Sequence, residues 1–377
     1  MCDQFAPVRA LVVPVCCVEA VHLEHLEALA RILPWRSPMP QKVCLTGASG
    51  FLGSWCAKLL LEQGFVVHAT VRSKEKAAYL KALPGSERLV IFDGVDLLTP
   101  GAFDAAMASC DVCMHTASPF FFANGTEDAL VKPAVEGTRN VLDACVRAGV
   151  HKVVLTSSTA AVYVSYGTVA DEHVWSSADW TSEGLVREKE NWYCLSKTAA
   201  ERVAWEVSRA SSLDLCVLNP TLIFGPVLRG QPHLNTSQNT IVGMMDGSLS
   251  QLDNSCKSIV DVRDVAEAHV AAITTGSGWG ERFLLIGATP HQAEIADAVR
   301  EALPAGMKAN VPTSVSAVLG PPVMAQSPPN PVLYDASPSE RLLGIKYRST
   351  KEMVQQSVAS LLANGFDSTA KYAHREK

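Results

Sequence analysis

Tyr193-Cys-Leu-Ser-Lys197 sets a phenol and an ammonium four positions apart. On a helix, residues i and i+4 share a face, so both groups can reach one cleft. A phenol with a pKa near ~10 is a weak acid–base at neutrality, and a nearby cation lowers that pKa by favouring the phenolate. Such a pair can move a proton to or from an oxygen, the proton half of a carbonyl reduction in which carbon takes a hydride. Lys197 could also hold a nicotinamide ribose. A hydroxyl at a strand end would orient the carbonyl. Ser158 is the choice, with Ser157 and Thr159 as neighbours that could serve instead. Y-x-x-x-K alone is short enough to recur by chance. Its weight comes from its order, after a glycine turn and after the strand end Thr156-Ser157-Ser158.

That glycine turn lies at 42–53, Lys-Val-Cys-Leu-Thr-Gly-Ala-Ser-Gly-Phe-Leu-Gly. A short apolar run, Val43 to Leu45, ends in Gly47, Gly50 and Gly53. Leu52, Trp55, Cys56, Leu59 and Leu60 then recur with a helical period. The stretch reads as strand, tight turn and helix. A glycine there lets the backbone approach a ligand, and the helix start offers unpaired N–H groups to a pyrophosphate. Three glycines in this setting form a dinucleotide-binding fingerprint. The spacing is G-x-x-G-x-x-G, and this variant resembles the extended branch of the short-chain dehydrogenase/reductase superfamily.

Phe65 to Val71 reads as a second strand, with Arg72, Lys74 and Lys76 after it and no acid at 70–72. An acid there would bind the ribose 2′-hydroxyl of NAD; cations suit a 2′-phosphate. NADP(H) is therefore expected, held by Arg72 and Lys76. Leu89 to Phe92 is a third strand. The superfamily resemblance implies that Asp96, with Leu97, lies near the adenine. Val112 to His115 is a fourth strand, and the small residues Thr116, Ala117 and Ser118 after it let the ribose lie against the backbone. Phe120 to Phe122 offer an apolar wall, with Phe120 expected at the substrate together with Ser158 and Tyr193. The remaining expected cofactor contacts are Ser49, Phe51 and Leu52 of the turn, Tyr193 and Lys197, and Pro220 and Ile223 beyond the sixth strand.

These groups need a scaffold, and the chain supplies alternating strands and helices. A long amphipathic helix spans 126–148, with Gly149 as its stop. Val153 to Ser157 and Leu215 to Leu218 are the fifth and sixth strands. The fold class expected is α/β, a Rossmann-type doubly wound parallel sheet with a smaller C-terminal α/β substrate lobe. Residues 41–221 form the NADP-binding domain, to which a strand and helix near 258–274 return. Residues 222–363 form the substrate lobe, with a strand at Phe283 to Ile286 and helices near 291–303, 337–343 and 350–363. Asp264 and Glu267 read as a capping box opening a helix at 265–274. Residues 364–377 read as a frayed tail. Residues 1–40 read as an appended extension, or as sequence upstream of a true start at Met39.

Composition narrows the function classes. The chain has 377 residues, 48% apolar and 19% charged, ordinary for a globular enzyme. A formal charge of −6 with no basic run argues against nucleic acid and anionic membranes as partners. Residues 10–18 are too short and interrupted by Pro14 to span a bilayer. Eleven cysteines without a secretory signal read as reduced thiols of a cytoplasmic protein. Cys110 and Cys113 form a C-x-x-C at the entry to an apolar strand, which reads as buried thiols rather than a redox pair. No metal site is expected, and the chain is expected to be a monomer or homodimer.

Residues 41–363 further resemble the dihydroflavonol reductase and cinnamoyl-CoA reductase group. The matching stretches are Thr46-Gly47-Ala-Ser-Gly50-Phe-Leu-Gly53, Ala69-Thr-Val-Arg72, His115-Thr-Ala-Ser-Pro119, Thr156-Ser-Ser158, Asp171-Glu172 with Trp175-Ser176, Asn191-Trp-Tyr193-Cys, and Asn219-Pro220 with Phe224-Gly-Pro226. The resemblance implies NADP-dependent reduction of an aldehyde, ketone or thioester by a triad of Ser158, Tyr193 and Lys197. Leu195-Ser196 stand where cinnamoyl-CoA reductases typically carry Tyr-Gly, and Ser196-Lys197 is closer to the dihydroflavonol reductases. The alternatives are a nucleotide-sugar epimerase/dehydratase or hydroxysteroid dehydrogenase of the same fold, and a non-catalytic NADP-binding sensor.

Overall fold

β1 (Lys42–Thr46) is central because it is apolar on both faces, as a strand covered by helices on each side must be. Val43 and Leu45 join one buried cluster and Cys44 another, the period-two alternation of a strand. In this computed structural model the described residues are 41–118, 126–164, 166, 172–316 and 331–368. The expected extension at 1–40, the aromatic wall at 120–122, Asp171 and the end of the tail lie outside them.

Beside β1 run β2 (Val66–Thr70), β3 (Leu89–Phe92), β4 (Val112–His115), β5 (Lys152–Thr156), β6 (Asp214–Pro220) and β7 (Arg282–Leu285). All pair in parallel, in the order β7-β6-β5-β4-β1-β2-β3. The first six follow the doubly wound order, whose direction reverses between β1 and β4, where such sheets bind ligands.

Four long helices cover the sheet. α1 (Phe51–Glu62), α2 (Glu127–Ala148), α3 (Trp192–Ser211) and α4 (Val262–Thr274) pack in pairs, α1 against α4 and α2 against α3. α2 starts where Thr126 accepts a hydrogen bond from the Ala129 N–H and stops at Gly149, whose φ is 71°. α3 starts where the Asn191 side chain accepts from the Cys194 N–H at 3.2 Å. Tyr193 therefore sits in its first turn and Lys197 one turn on.

The structure moves several expected boundaries. The strand expected at Phe283 to Ile286 in the second lobe is β7, an edge of the main sheet. The returning strand, Ile259–Asp261, pairs with Leu222–Phe224 in a small separate sheet, while the helix after it packs on α1. Asp264 and Glu267 do not cap that helix. Asp261 does, accepting from the Arg263 N–H at 2.8 Å, because the strand runs into the helix without a loop. Asp264 instead pairs with Arg348, which also meets Glu267 at 2.9 Å. After α5 (Thr350–Ala363) the chain is not frayed at once: Phe366 is 1% exposed, and its N–H bonds the Leu361 carbonyl at 2.8 Å. Cys44, Cys110, Cys113 and Cys145 are free of disulfides and buried. No described helix is long and apolar enough to cross a membrane.

Candidate active site

The turn after β1 depends on two glycines. Gly47 has φ +68°, and a Cβ there would lie 2.9 Å from the Ala117 Cα. A Cβ on Gly53 would lie 2.2 Å from the Gly47 carbonyl oxygen, so only glycine lets α1 rise directly from the turn. Gly50 caps α1 without a side-chain bond, which leaves the helix start to an anion. Phe51 and Leu52 are buried, and the Ser49 carbonyl accepts from the Tyr79 hydroxyl at 3.1 Å. Tyr79 was not foreseen; it fixes the turn from a short helix, Glu75–Ala82.

Thr46, also unforeseen, joins the two sides of the crevice. Its Oγ1 accepts from the Ala117 N–H at 3.1 Å and lies 2.7 Å from His115 Nδ1, and its carbonyl accepts from the Thr116 hydroxyl at 2.7 Å. The turn after β1 and the small residues after β4 are thus bonded together at the switch point. Burial, with the Lys197 charge nearby, pushes His115 down to about 3, so it is neutral near pH 7.

Arg72 and Lys76 are exposed just past β2, as a site for a phosphate in solvent requires. Asp96 is exposed past β3 and accepts from the Leu98 N–H at 2.8 Å. The Leu97 carbonyl is taken by Asn140 of α2 at 3.1 Å, and its side chain packs where Gly137 leaves room. Pro220 ends β6 and is buried; Ile223 lies just beyond, half-buried.

Three side chains meet at the carboxyl ends of β4 and β5. The Ser158 hydroxyl lies beside the Tyr193 phenol, opposing the rise of its pKa, and accepts from the Ala160 N–H at 3.1 Å. Lys197 Nζ donates to Ser118 Oγ at 2.8 Å and stands 5.7 Å from the Tyr193 ring centroid. Of the three candidate hydroxyls, Ser158 is the one turned to Tyr193. Ser157 donates to Glu201 at 2.6 Å, and Thr159 lies 3.4 Å from the Pro220 carbonyl. Behind Lys197 a cavity of about 20 Å³ is lined by His115, Ser118, Thr138, Ser157 and Glu201, room for about one water.

The electrostatics differ from the expected pattern. The phenol of Tyr193 is pushed up by burial, with the neighbouring Ser158 side chain opposing. Lys197 does not offset that rise, and burial pulls its own ammonium down to about 8. Desolvation outweighs the cation's pull. The result is a phenol that keeps its proton beside an amine that is mostly, not wholly, charged near pH 7. The arrangement can donate a proton to an oxygen that also accepts from Ser158.

A family model described as the NAD dependent epimerase/dehydratase family matches residues 43–287. Cinnamoyl-CoA reductase 1 of Petunia hybrida is 35% identical over 336 residues, 88% of this chain and 95% of that protein. Tetraketide alpha-pyrone reductase 1 of Arabidopsis thaliana is 31% identical over 339 residues, 87% of this chain and 97% of that protein. Among solved structures, yeast methylglyoxal/isovaleraldehyde reductase Gre2 complexed with NADPH matches with a TM-score of 0.73 and 28% identity, covering 87% of this chain and 100% of that one.

Proposed function

The chain belongs to the NAD-dependent epimerase/dehydratase family, and from that premise we propose that it is an NADPH-dependent reductase of a small-molecule carbonyl compound, an aldehyde, a ketone or an acyl-CoA thioester. The observation that supports this reading above others is Lys197 one helical turn from Tyr193, its Nζ 5.7 Å from the phenol ring centroid, with Ser158 beside that phenol. The similar proteins named above are reductases, which supports the same class of chemistry.

The residues present fit the cofactor. Gly47 and Gly53 keep clear a cradle that a Cβ would fill, at the uncapped start of α1. Arg72 and Lys76 offer cations to a 2′-phosphate, and 70–72 hold no acid to repel one. The adenosine side would rest by Asp96 and Leu97. The nicotinamide side would rest by Thr116, Ala117, Ser118, Lys197, Pro220 and Ile223. When bound, NADPH supplies the hydride that the carbonyl carbon receives.

The protein's own residues supply the rest. Ser158 donates a hydrogen bond to the carbonyl oxygen and polarises it. Tyr193, kept protonated by burial, donates its proton to that oxygen as charge develops there. The Lys197 ammonium stabilises the phenolate left behind and holds the ribose.

Tyr193→Phe removes the proton donor and keeps the ring. NADPH binding, followed by fluorescence, should survive while turnover is lost. Undiminished turnover in that variant would reject the assignment.

A further inference from the structure

Tyr193 and Lys197 are followed at the same spacing by Glu201, on the same face of α3. Its carboxylate is fully buried, where an unpaired charge is costly. Four donors converge on it. Oε2 accepts from the Ser157 hydroxyl at 2.6 Å and from Asn219 Nδ2 at 2.8 Å. Oε1 accepts from Arg282 Nε at 2.6 Å and from Trp205 Nε1 at 3.3 Å. Ser157 follows β5, Asn219 lies on β6 and Arg282 opens β7, so one side chain ties three neighbouring strands to the helix that bears Tyr193.

The link to chemistry runs through Asn219. The same Nδ2 that meets Glu201 also donates to the Ser158 carbonyl at 3.1 Å. Ser157, next to Ser158, is held by Glu201 directly, and its N–H bonds the Leu218 carbonyl at 2.8 Å. The backbone on both sides of the Ser158 Cα is therefore fixed from Glu201. Arg282 anchors the carboxylate in turn. Its Nη1 donates to the carbonyls of Ser177 at 2.6 Å and Asp179 at 2.8 Å, and its guanidinium lies 3.8 Å from the Trp180 ring centroid.

We infer that Glu201 is a positioning residue, which sets the Ser158 hydroxyl against the Tyr193 phenol through Ser157 and Asn219 and is itself held by Arg282. The inference rests on the proposed reductase reading. Every group facing the carboxylate is a donor, so an acceptor on both oxygens is required. An amide at this position would turn an N–H toward another donor. Misplacing a reacting group by about 1 Å can cost on the order of 100-fold in rate, so small shifts at Ser158 matter.

Asn219→Ala and Ser157→Ala test the role while keeping the Glu201–Arg282 ion pair; Glu201→Gln is the harsher variant, and its melting temperature is read beside its rate. Asn219→Ala should lower kcat by about tenfold, and Ser157→Ala by less. NADPH dissociation constant and carbonyl KM should be unchanged in both. Neither change should lower kcat further when added to Ser158→Ala. Wild-type kcat in Asn219→Ala and Ser157→Ala, with Ser158→Ala impaired, would overturn the positioning role and leave the reductase reading standing. So would losses that simply multiply in the double variants. Full turnover in Ser158→Ala would overturn the reductase reading itself, and the positioning role with it.

Discussion

The hydroxyl of Ser158, just past β5, lies beside the phenol of Tyr193, in the first turn of α3, while the hydroxyls on either side of Ser158 bond elsewhere. On the proposed reductase reading, this proximity gives three adjacent hydroxyls different roles. Ser158→Ala should lower kcat by about 100-fold, the range of a lost donor to a developing oxyanion. Thr159→Val, whose hydroxyl faces the Pro220 carbonyl, should stay within about twofold of wild type. Steady-state rates on one carbonyl substrate decide it; the opposite ranking would transfer the role to Thr159.

Cofactor choice should follow Arg72. A charged hydrogen bond to phosphate is worth about 1.5–3 kcal/mol, so Arg72→Ala should raise the KM for NADPH by about tenfold or more. The KM for NADH, which lacks the 2′-phosphate, should hardly change. Lys76→Ala should act in the same direction and more weakly, since a lysine cannot make the paired contact of a guanidinium. Equal weakening toward both cofactors would show that Arg72 does not read the phosphate.

Acid should weaken the fold through two buried histidines. Burial pushes His115 down to about 3 and His269 down to about 4. Unfolded imidazole titrates near ~6.5, so below that pH the unfolded chain binds protons that the folded chain refuses. Their contribution is complete above ~6.5 and is lost as pH falls toward 4 and then 3, by up to about 1.4 kcal/mol per pH unit per histidine. Neutral His269 donates its Nδ1–H to the Val265 carbonyl at 2.7 Å and accepts at Nε2 from the Thr156 hydroxyl at 2.6 Å, so His269→Gln keeps polar partners near. Urea titrations at pH 7, 6 and 5 should show a shallower loss in His269→Gln. An unchanged slope would mean that the imidazole is already charged in the folded protein.

Much of the site was legible because it is local. The glycine turn, the Y-x-x-x-K pair and the small residues after β4 are short runs whose spacing alone sets their geometry. The doubly wound sheet followed from strands alternating with helices. Other parts depend on what the chain meets far away. β7 reads from the sequence as part of the second lobe because it follows a long excursion of loops; only its pairing with β6 returns it to the main sheet. The cap of α4 falls at Asp261 rather than Asp264 because Ile259–Asp261 runs unbroken into the helix, leaving no loop to mark the start. Burial was equally hidden, so the cation beside Tyr193 was visible and the desolvation that outweighs it was not. Glu201 left a trace in its spacing from Tyr193 and Lys197, but its donors come from 157, 205, 219 and 282.

The most direct test of the central claim is consumption of NADPH, followed at its absorbance, against a panel of aldehydes, ketones, flavanonols and acyl-CoA esters. The account predicts NADPH loss matched by an equal amount of reduced product for at least one class, with NADH much slower. Purified protein that retains bound NAD and oxidises NADPH with no member of the panel would contradict it.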